Sequence, residues 1–205
     1  MESYTTVHKV ADFEYEDRKS IFIGTAAPVK TEAEALDFIA FIKKKYPDAR
    51  HHVYAYVLRE NSIMRFSDDC EPQGTAGMPV LDAIRKNGCT DTAIVVIRYF
   101  GGTLLGTGGL VRAYSSAAIG ALNAAEIITY DIYSVFSVFA SYSDYQKLLP
   151  LFSECGFKID DTKYSDNVLI TGRILKANED NLIKALTEQT AGRAKIEKKE
   201  EIFDF

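Results

Sequence analysis

The chain has 205 residues, with 24 lysines and arginines against 29 aspartates and glutamates and a formal net charge of −5. This length suits one large domain or two small ones, and the acidic balance excludes a surface that is basic throughout. Three separated cysteines and three histidines give no sign of a disulfide framework or a zinc site. The opening residues lack a secretory signal pattern and no apolar run has the length of a membrane span. We therefore expect a cytoplasmic protein without membrane partners.

The first part of the chain alternates predicted strands and helices. An apolar run begins a strand at Ile21, and Thr31 followed by Glu34 forms a capping box that begins a helix before Pro47. A continuous apolar run over residues 92–100 is typical of a buried strand. Further elements are predicted as a strand over 52–59, a helix over 78–88 and a helix from about Leu110 to Ala125.

The pattern changes to a smaller unit after Ile132. Alternating and helical periods there give the order βαββαβ, which is typical of a ferredoxin-like domain. A short linker is expected near residues 126–131. We therefore predict two domains, residues 1–130 and 131–205, in an α+β protein.

A glycine-rich loop follows the buried strand and precedes a helix. Glycines expose backbone N–H groups, and at a helix N-terminus these groups suit an anion such as phosphate. A Walker loop would need lysine where Thr107 stands, and a dinucleotide fingerprint would need a small residue at Val111. The candidate phosphate or nucleic-acid contacts are Arg65, Arg98, Gly101, Gly102, Gly106, Gly108, Gly109 and Arg112. The alternative is that the glycines only form turns and allow close helix packing.

A second loop, over residues 65–77, carries three carboxylates within four residues. Such oxygen ligands suit magnesium, so a metal-assisted phosphate site is one interpretation. The other is that its serine and aspartates bond to backbone groups and cap a helix near Met78. The residues of this second candidate loop are Ser67, Asp68, Asp69, Glu71, Gly74, Thr75 and Gly77. His51 and His52 are expected on opposite faces of a strand, so only one of them can share a site.

Three stretches resemble the YigZ/IMPACT family: RFSDDCEPQGTAGMPVL, VVIRYFGGTLLGTGGLVRAY and YPDARHHVYAYV. The resemblance covers the first domain, and the carboxy-terminal domain is similar to that of bacterial YigZ-type members. It implies a left-handed βαβ fold for the first domain, as in domain IV of elongation factor G, GHMP kinases and a ribosomal small-subunit protein. It implies a second domain similar to domain V of that factor. The eukaryotic members are similar to translation regulators that compete for an activator of the kinase acting on initiation factor two.

We therefore expect a non-enzymatic, translation-linked protein that binds RNA, the ribosome or a translation-associated protein. DNA sequence specificity is not expected, and neither a cofactor nor a bound metal is predicted. No serine or cysteine stands in a recognisable nucleophile elbow, so no catalytic residue is predicted. The alternative is an enzyme for a small phosphorylated ligand, with phosphate in the glycine loop and magnesium at the acidic loop.

Overall fold

The computed structural model describes residues 3–205. The chain divides into two compact units, the first made of residues 4–129 and the second containing residues 130–205. The first unit holds six strands, β1 (Tyr4–Val7), β2 (Ala11–Asp17), β3 (Ser20–Pro28), β4 (His51–Val57), β5 (Met64–Ser67) and β6 (Thr92–Tyr99). Its helices are α1 (Glu32–Lys45), α2 (Gly77–Lys86) and α3 (Gly106–Ala124), and a short 3₁₀ turn covers Glu60–Ser62.

Five strands of the first unit form an antiparallel sheet in the order β2-β3-β6-β4-β5. Helices α2 and α3 pack on one face of it, and α1 packs on the other. The central strand β6 is buried on both faces, because Ile94 and Val96 join the core under α2 and α3 while Val95 and Ile97 join the core under α1. Its continuous apolar run is explained by this three-layer position.

The predicted capping box is confirmed at the start of α1. The Thr31 hydroxyl accepts a hydrogen bond from the Glu34 backbone at 3.2 Å, and the Glu34 carboxylate accepts one from the Lys30 backbone at 2.6 Å. The first contact satisfies a donor that the first helical turn would otherwise leave open, and the second binds the N–H of the residue before the cap.

The second unit has the predicted βαββαβ order. Its elements are β7 (Ile127–Ala140), α4 (Tyr142–Cys155), β8 (Lys158–Tyr164), β9 (Val168–Leu175), α5 (Glu179–Thr190) and β10 (Lys195–Asp204). Residues 127–129 of β7 belong to the first unit. The antiparallel sheet order is β10-β7-β9-β8, with the first and third strands of the unit adjacent at the centre. Phe136, Val138 and Ile170 form its core with Leu148, Phe152 and Leu186 from the two helices. The protein is therefore α+β, with a ferredoxin-like second unit.

The elements differ from the sequence-based prediction in three respects. Residues 127–131 begin strand β7 instead of forming a linker. Helix α3 begins at Gly106, four residues before Leu110, so Gly106, Gly108 and Gly109 lie in its first turn. Strands β1, β2 and β5 were not predicted, because β1 and β5 are short and β2 carries four acidic residues on an edge. Residues 65–67, which begin the predicted second loop, lie in β5 instead. Among residues 3–205, no helix is long and apolar enough to cross a membrane.

Candidate functional site

One end of the first sheet brings the two candidate loops together. Strand β6 finishes at this end, and His51 at the start of β4 lies directly opposite Arg98. Strand β5 also finishes here, because Ser67 pairs with Tyr54 near the start of β4. Helix α2 follows the acidic loop, residues 68–76, and α3 follows the glycine loop, residues 100–105. We call this end of the first unit, with both loops and both helix N-termini, the loop end.

A buried polar cluster lies beneath the two loops. Arg98 Nη1 donates to Glu71 Oε1 at 2.7 Å, and the Tyr114 hydroxyl donates to the same oxygen at 2.8 Å. The Arg98 guanidinium lies 5.4 Å from the ring centre of Phe22 and 5.6 Å from that of Phe100. Burial raises the pKa of the Tyr114 hydroxyl, and the negative charge of Glu71 raises it further. The phenol therefore remains a hydrogen-bond donor to the carboxylate.

This cluster corrects the role predicted for Arg98. The residue is only 6 % exposed and its charge is neutralised by Glu71, so it does not fit a surface contact with phosphate. Its position follows from register, because Arg98 points to the α2 and α3 side of the sheet while Ile97 points to α1. Arg98 instead ties β6 to the acidic loop.

The acidic loop is organised by Asp68. Its carboxylate accepts hydrogen bonds from the backbone N–H groups of Gly74, Ala76 and Gly77, at 2.9, 3.1 and 2.7 Å. These donors lie at the beginning of α2, so Asp68 satisfies that helix terminus and carries the negative charge favoured there. The Thr75 hydroxyl donates to the Pro72 carbonyl within the loop, at 2.7 Å. These contacts agree with the interpretation in which the side chains of this loop bond to backbone groups and cap a helix.

Asp69 bonds to β4 instead of joining the other carboxylates. Its carboxylate accepts a hydrogen bond from the His52 backbone at 2.6 Å, its carbonyl lies 2.8 Å from His51 Nδ1, and its own N–H donates to the Ser67 hydroxyl at 3.2 Å. His51 faces Glu71, with 3.8 Å between Nε2 and Oε1, whereas His52 Nε2 lies 2.9 Å from the Tyr46 carbonyl. The two histidines therefore lie on opposite faces, as the alternation of the strand predicted.

The three carboxylates do not converge on a metal position. The Asp68 carboxylate accepts hydrogen bonds at the start of α2, and that of Asp69 accepts one from β4. The Glu71 carboxylate accepts hydrogen bonds from Arg98 and Tyr114. Within residues 3–205 no group of three or more histidine, cysteine, aspartate or glutamate side chains is arranged to hold a metal ion. The interpretation of this loop as a magnesium site is therefore wrong, because its oxygens already have separate partners.

The glycines of the loop and of the first turn of α3 fall into three groups. Gly101 presses against the turn between β2 and β3, where a Cβ would overlap the backbone of Lys19, and its N–H donates to the Ser20 hydroxyl at 3.1 Å. Gly102 and Gly106 have φ angles of +85° and +71°, a region that favours glycine. A Cβ on Gly108 would meet nothing within 4 Å, and one on Gly109 would meet only the Leu105 side chain.

The N-terminus of α3 is open to an incoming group. The residue before it, Leu105, provides no side-chain cap, and Gly106, Thr107 and Gly108 are exposed. The first N–H groups of a helix have no partner within the helix, and they carry its positive partial charge. Anion binding by these groups stays a prediction from the glycine pattern.

The predicted arginines divide between two faces of the sheet. Arg112 is exposed on α3, two turns or less from the N-terminus of that helix. Arg65 lies opposite Tyr56, which packs into the core under α1, so the sheet separates Arg65 from the α3 terminus. The structure does not bring Arg65, Arg98 and Arg112 into one surface cluster.

Sequence reasoning missed three other cations at the loop end. Arg18 and Lys19 form the turn under Gly101, where Arg18 Nη1 donates to the Leu104 carbonyl at 3.3 Å. The backbone of Arg50 donates to the Arg98 carbonyl at 3.3 Å. These three residues and Arg112 are exposed, and none forms an ion pair within the described part of the chain. The sequence feature that could have predicted two of these cations is the Arg18-Lys19 pair in a turn between two strands. Since β2 was not predicted, this turn was not recognised.

Comparison with known proteins agrees with this architecture. Residues 18–122 match the family described as the Impact N-terminal domain, and residues 138–193 match a domain of unknown function, DUF1949. IMPACT family member YvyE of Bacillus subtilis (strain 168) is 36 % identical over 201 residues, which are 98 % of this chain and 93 % of that protein. IMPACT family member YigZ of Escherichia coli (strain K12) is 43 % identical over 110 residues, which are 52 % of this chain and 54 % of that protein.

A solved structure is similar over the same extent. A crystal structure described as a hypothetical protein is 30 % identical, has a TM-score of 0.60, and matches 98 % of both chains. The likeness therefore extends across both units. With the match to the Impact N-terminal domain over four strands of the first sheet and both candidate loops, and a relative aligned along almost its whole length, this chain belongs to the IMPACT family.

Proposed function

We propose that this chain is a non-enzymatic, translation-linked regulator that binds RNA phosphates, such as those of the ribosome, at the loop end of its first unit. The observation that carries the proposal is a group of exposed cations at the loop end, where the N-terminus of α3 is also open, namely Arg18, Lys19, Arg50 and Arg112. Membership of the IMPACT family supports the translation-related part of the proposal in a general sense.

The internal contacts of the acidic loop support this assignment. Glu71 is neutralised by Arg98, and Asp68 lies against the positive terminus of α2. The acidic loop therefore contributes less negative potential to the surface around the nearby cations than its three carboxylates suggest. Because the whole chain has a net charge of −5, RNA binding would depend on this local surface and would be weak elsewhere.

The geometry of the loop end does not favour the alternative of an enzyme that acts on a small phosphorylated ligand. Its magnesium ligands are engaged elsewhere, and Tyr114 and Glu71 are buried beneath the loops. The open amides of α3 are a binding feature.

The test compares two variants that each lose four exposed cations. The first replaces Arg18, Lys19, Arg50 and Arg112 by alanine. The matched control replaces Lys30, Lys86, Lys147 and Lys184, which are exposed, form no ion pair within the described residues and lie outside the loop end. Binding of a fluorescently labelled RNA hairpin is measured by anisotropy at several salt concentrations.

We expect the first variant to bind the RNA more weakly than the wild type. Its slope of log binding constant against log salt concentration should become shallower by about 0.7–0.9 for each phosphate contact removed, whereas the control keeps the wild-type slope. Equal losses in the two variants would overturn the proposal. Sedimentation with ribosomes, before and after nuclease treatment, identifies the partner class. Association that survives nuclease and the loss of the four cations would assign the role to a protein partner instead.

A further inference from the structure

Strand β2 leaves one edge of the first sheet open. It pairs with β3 on one side and is the last strand in the sheet order on the other. Along an edge strand, alternate backbone N–H and C=O groups point away from the sheet and can pair with an added strand. The open edge comprises residues 11–17, and the Arg18-Lys19 turn of the proposed RNA site follows it directly in the chain.

The two faces of β2 differ in chemistry. Phe13 pairs with Gly24 and Tyr15 pairs with Phe22, so both aromatic residues lie on the side covered by α3. Glu14 pairs with Ile23 and Glu16 with Ile21, so both carboxylates lie on the opposite side. Both glutamates are exposed and neither forms an ion pair within the described residues, whereas the neighbouring Asp12 binds Lys45 at 3.0 Å.

An apolar groove runs beside the aromatic face of β2. It has a volume of about 550 Å³ and lies between Phe13 and one stripe of α3 that includes Ile119 and Gly120. A Cβ on Gly120 would overlap the Phe13 ring, so the ring lies flat on the helix at this point. Phe13 and Ile119 remain 39 % and 43 % exposed, which leaves apolar surface in the groove.

We propose that this edge binds an extended segment of a partner protein by strand addition, and that the segment alternates apolar residues with lysine or arginine. Side chains of an added strand alternate between the same two faces as those of β2. One set of side chains therefore enters the groove beside Phe13, and the other set lies beside Glu14 and Glu16. Cross-strand pairs of opposite charge stabilise such a sheet, and apolar side chains beside Phe13 fill the groove.

Charge excludes the other occupants of this edge. A second copy that paired antiparallel through its own β2 would place its glutamates on the same face as Glu14 and Glu16, where like charges repel. RNA would meet the same carboxylates. A strand that alternates basic and apolar residues places its basic side chains beside Glu14 and Glu16 and its apolar side chains beside Phe13.

The proposal is tested with a labelled synthetic peptide in which lysine and valine alternate, and with a control peptide in which glutamate replaces lysine. We expect the wild-type protein to bind the lysine peptide and not the glutamate peptide, in an anisotropy assay at low salt. The variant E14K/E16K should bind the lysine peptide about tenfold more weakly, because two attractive cross-strand pairs become repulsive, and should gain binding of the glutamate peptide. Both substituted positions are exposed, and circular dichroism confirms that the variant is folded.

Two further measurements separate strand addition from simple charge attraction. The Ile119→Asp variant should lose lysine-peptide binding although it leaves both glutamates in place. Hydrogen exchange should slow at alternate amides of residues 11–17 when the peptide is bound. Unchanged exchange in β2, equal binding by wild type and E14K/E16K, or concentration-dependent dimers that pair through β2 would overturn the proposal.

Discussion

Arg98 donates a hydrogen bond to Glu71 across 2.7 Å, and the two side chains are only 8 % and 4 % exposed. The pair joins the end of β6 to the acidic loop. Tyr114 extends the connection to α3, since its hydroxyl donates to the same carboxylate oxygen. The loop end is therefore held together by one buried carboxylate that serves a strand and a helix.

Replacing Glu71 by alanine should destabilise the first unit by about 3–5 kcal/mol, because it leaves the Arg98 guanidinium buried without a counter-charge. Urea unfolding gives the free energy. Glu16→Ala is the matched control, since that carboxylate is exposed and forms no ion pair within the described residues. The control should change stability by less than about 0.5 kcal/mol. A loss of less than about 1 kcal/mol for Glu71→Ala would contradict the importance of this pair.

Tyr114→Phe removes a hydroxyl that donates to a charged acceptor and should cost about 1.5–3 kcal/mol. The ring remains, so its edge contact with Phe22, at 5.1 Å between ring centres, is kept. In a Glu71→Ala background the same change should cost much less, because its acceptor is already gone. A double-mutant cycle from urea unfolding measures this coupling. Additive losses would mean that the two side chains do not act together.

Two glycines of the same stretch should respond oppositely to alanine. Gly101→Ala forces a Cβ into the backbone of Lys19, so it should destabilise the protein by about 1–3 kcal/mol. Gly108→Ala meets nothing within 4 Å and lies inside α3, so it should be neutral or stabilising by up to about 1 kcal/mol. Thermal unfolding of the two variants, measured side by side, gives the comparison. Similar losses at both positions would contradict the close approach at Gly101.

Much of the fold was predictable because its elements carry strong local signals. The apolar run of β6 reflects burial on both faces, and the capping box at Thr31 begins α1 where expected. The second unit followed from its periodicity alone. Strand β2 was not predictable in the same way, because an edge strand with one open face tolerates the acidic residues that weaken a strand signal. The left-handed connection of the first unit came only from the family resemblance and stays a prediction.

The site was less predictable, because it depends on contacts between distant positions. Arg98 resembled a surface cation beside the glycine loop, and no spacing rule pairs it with Glu71. Sheet register turns Arg98 toward α3, and the acidic loop then carries Glu71 back to it. Arg18, Lys19 and Arg50 reach the loop end through a turn and a strand boundary that are visible only in three dimensions.

The second unit should show an acid-dependent contact at the start of α4. Asp144 accepts hydrogen bonds from Arg193 at 2.8 and 3.2 Å, and its backbone N–H donates to the Ser141 hydroxyl at 3.2 Å. The hydrogen bonds from Arg193 lower the pKa of the Asp144 carboxyl below its ordinary value of 3.8, against an opposing effect of desolvation. A carboxyl whose pKa is lower in the folded state stabilises that state above its ordinary pKa, and the benefit is lost as the pH falls through the lowered value.

Asp144→Asn should therefore reduce protection of α4 at neutral pH, because the charged partner of Arg193 is lost while the helix start remains polar. The difference from wild type should shrink as the pH falls below 3.8 and through the lowered pKa of the folded state, where the wild-type carboxyl itself becomes protonated. Hydrogen exchange followed by mass spectrometry reports α4 separately from the first unit. Asp166→Asn is the control, since Asp166 is exposed in the turn between β8 and β9 and should leave protection unchanged at every pH. A difference between Asp144→Asn and wild type that persists in acid would show that the asparagine disturbs the helix start itself and that the ion pair with Arg193 contributes little.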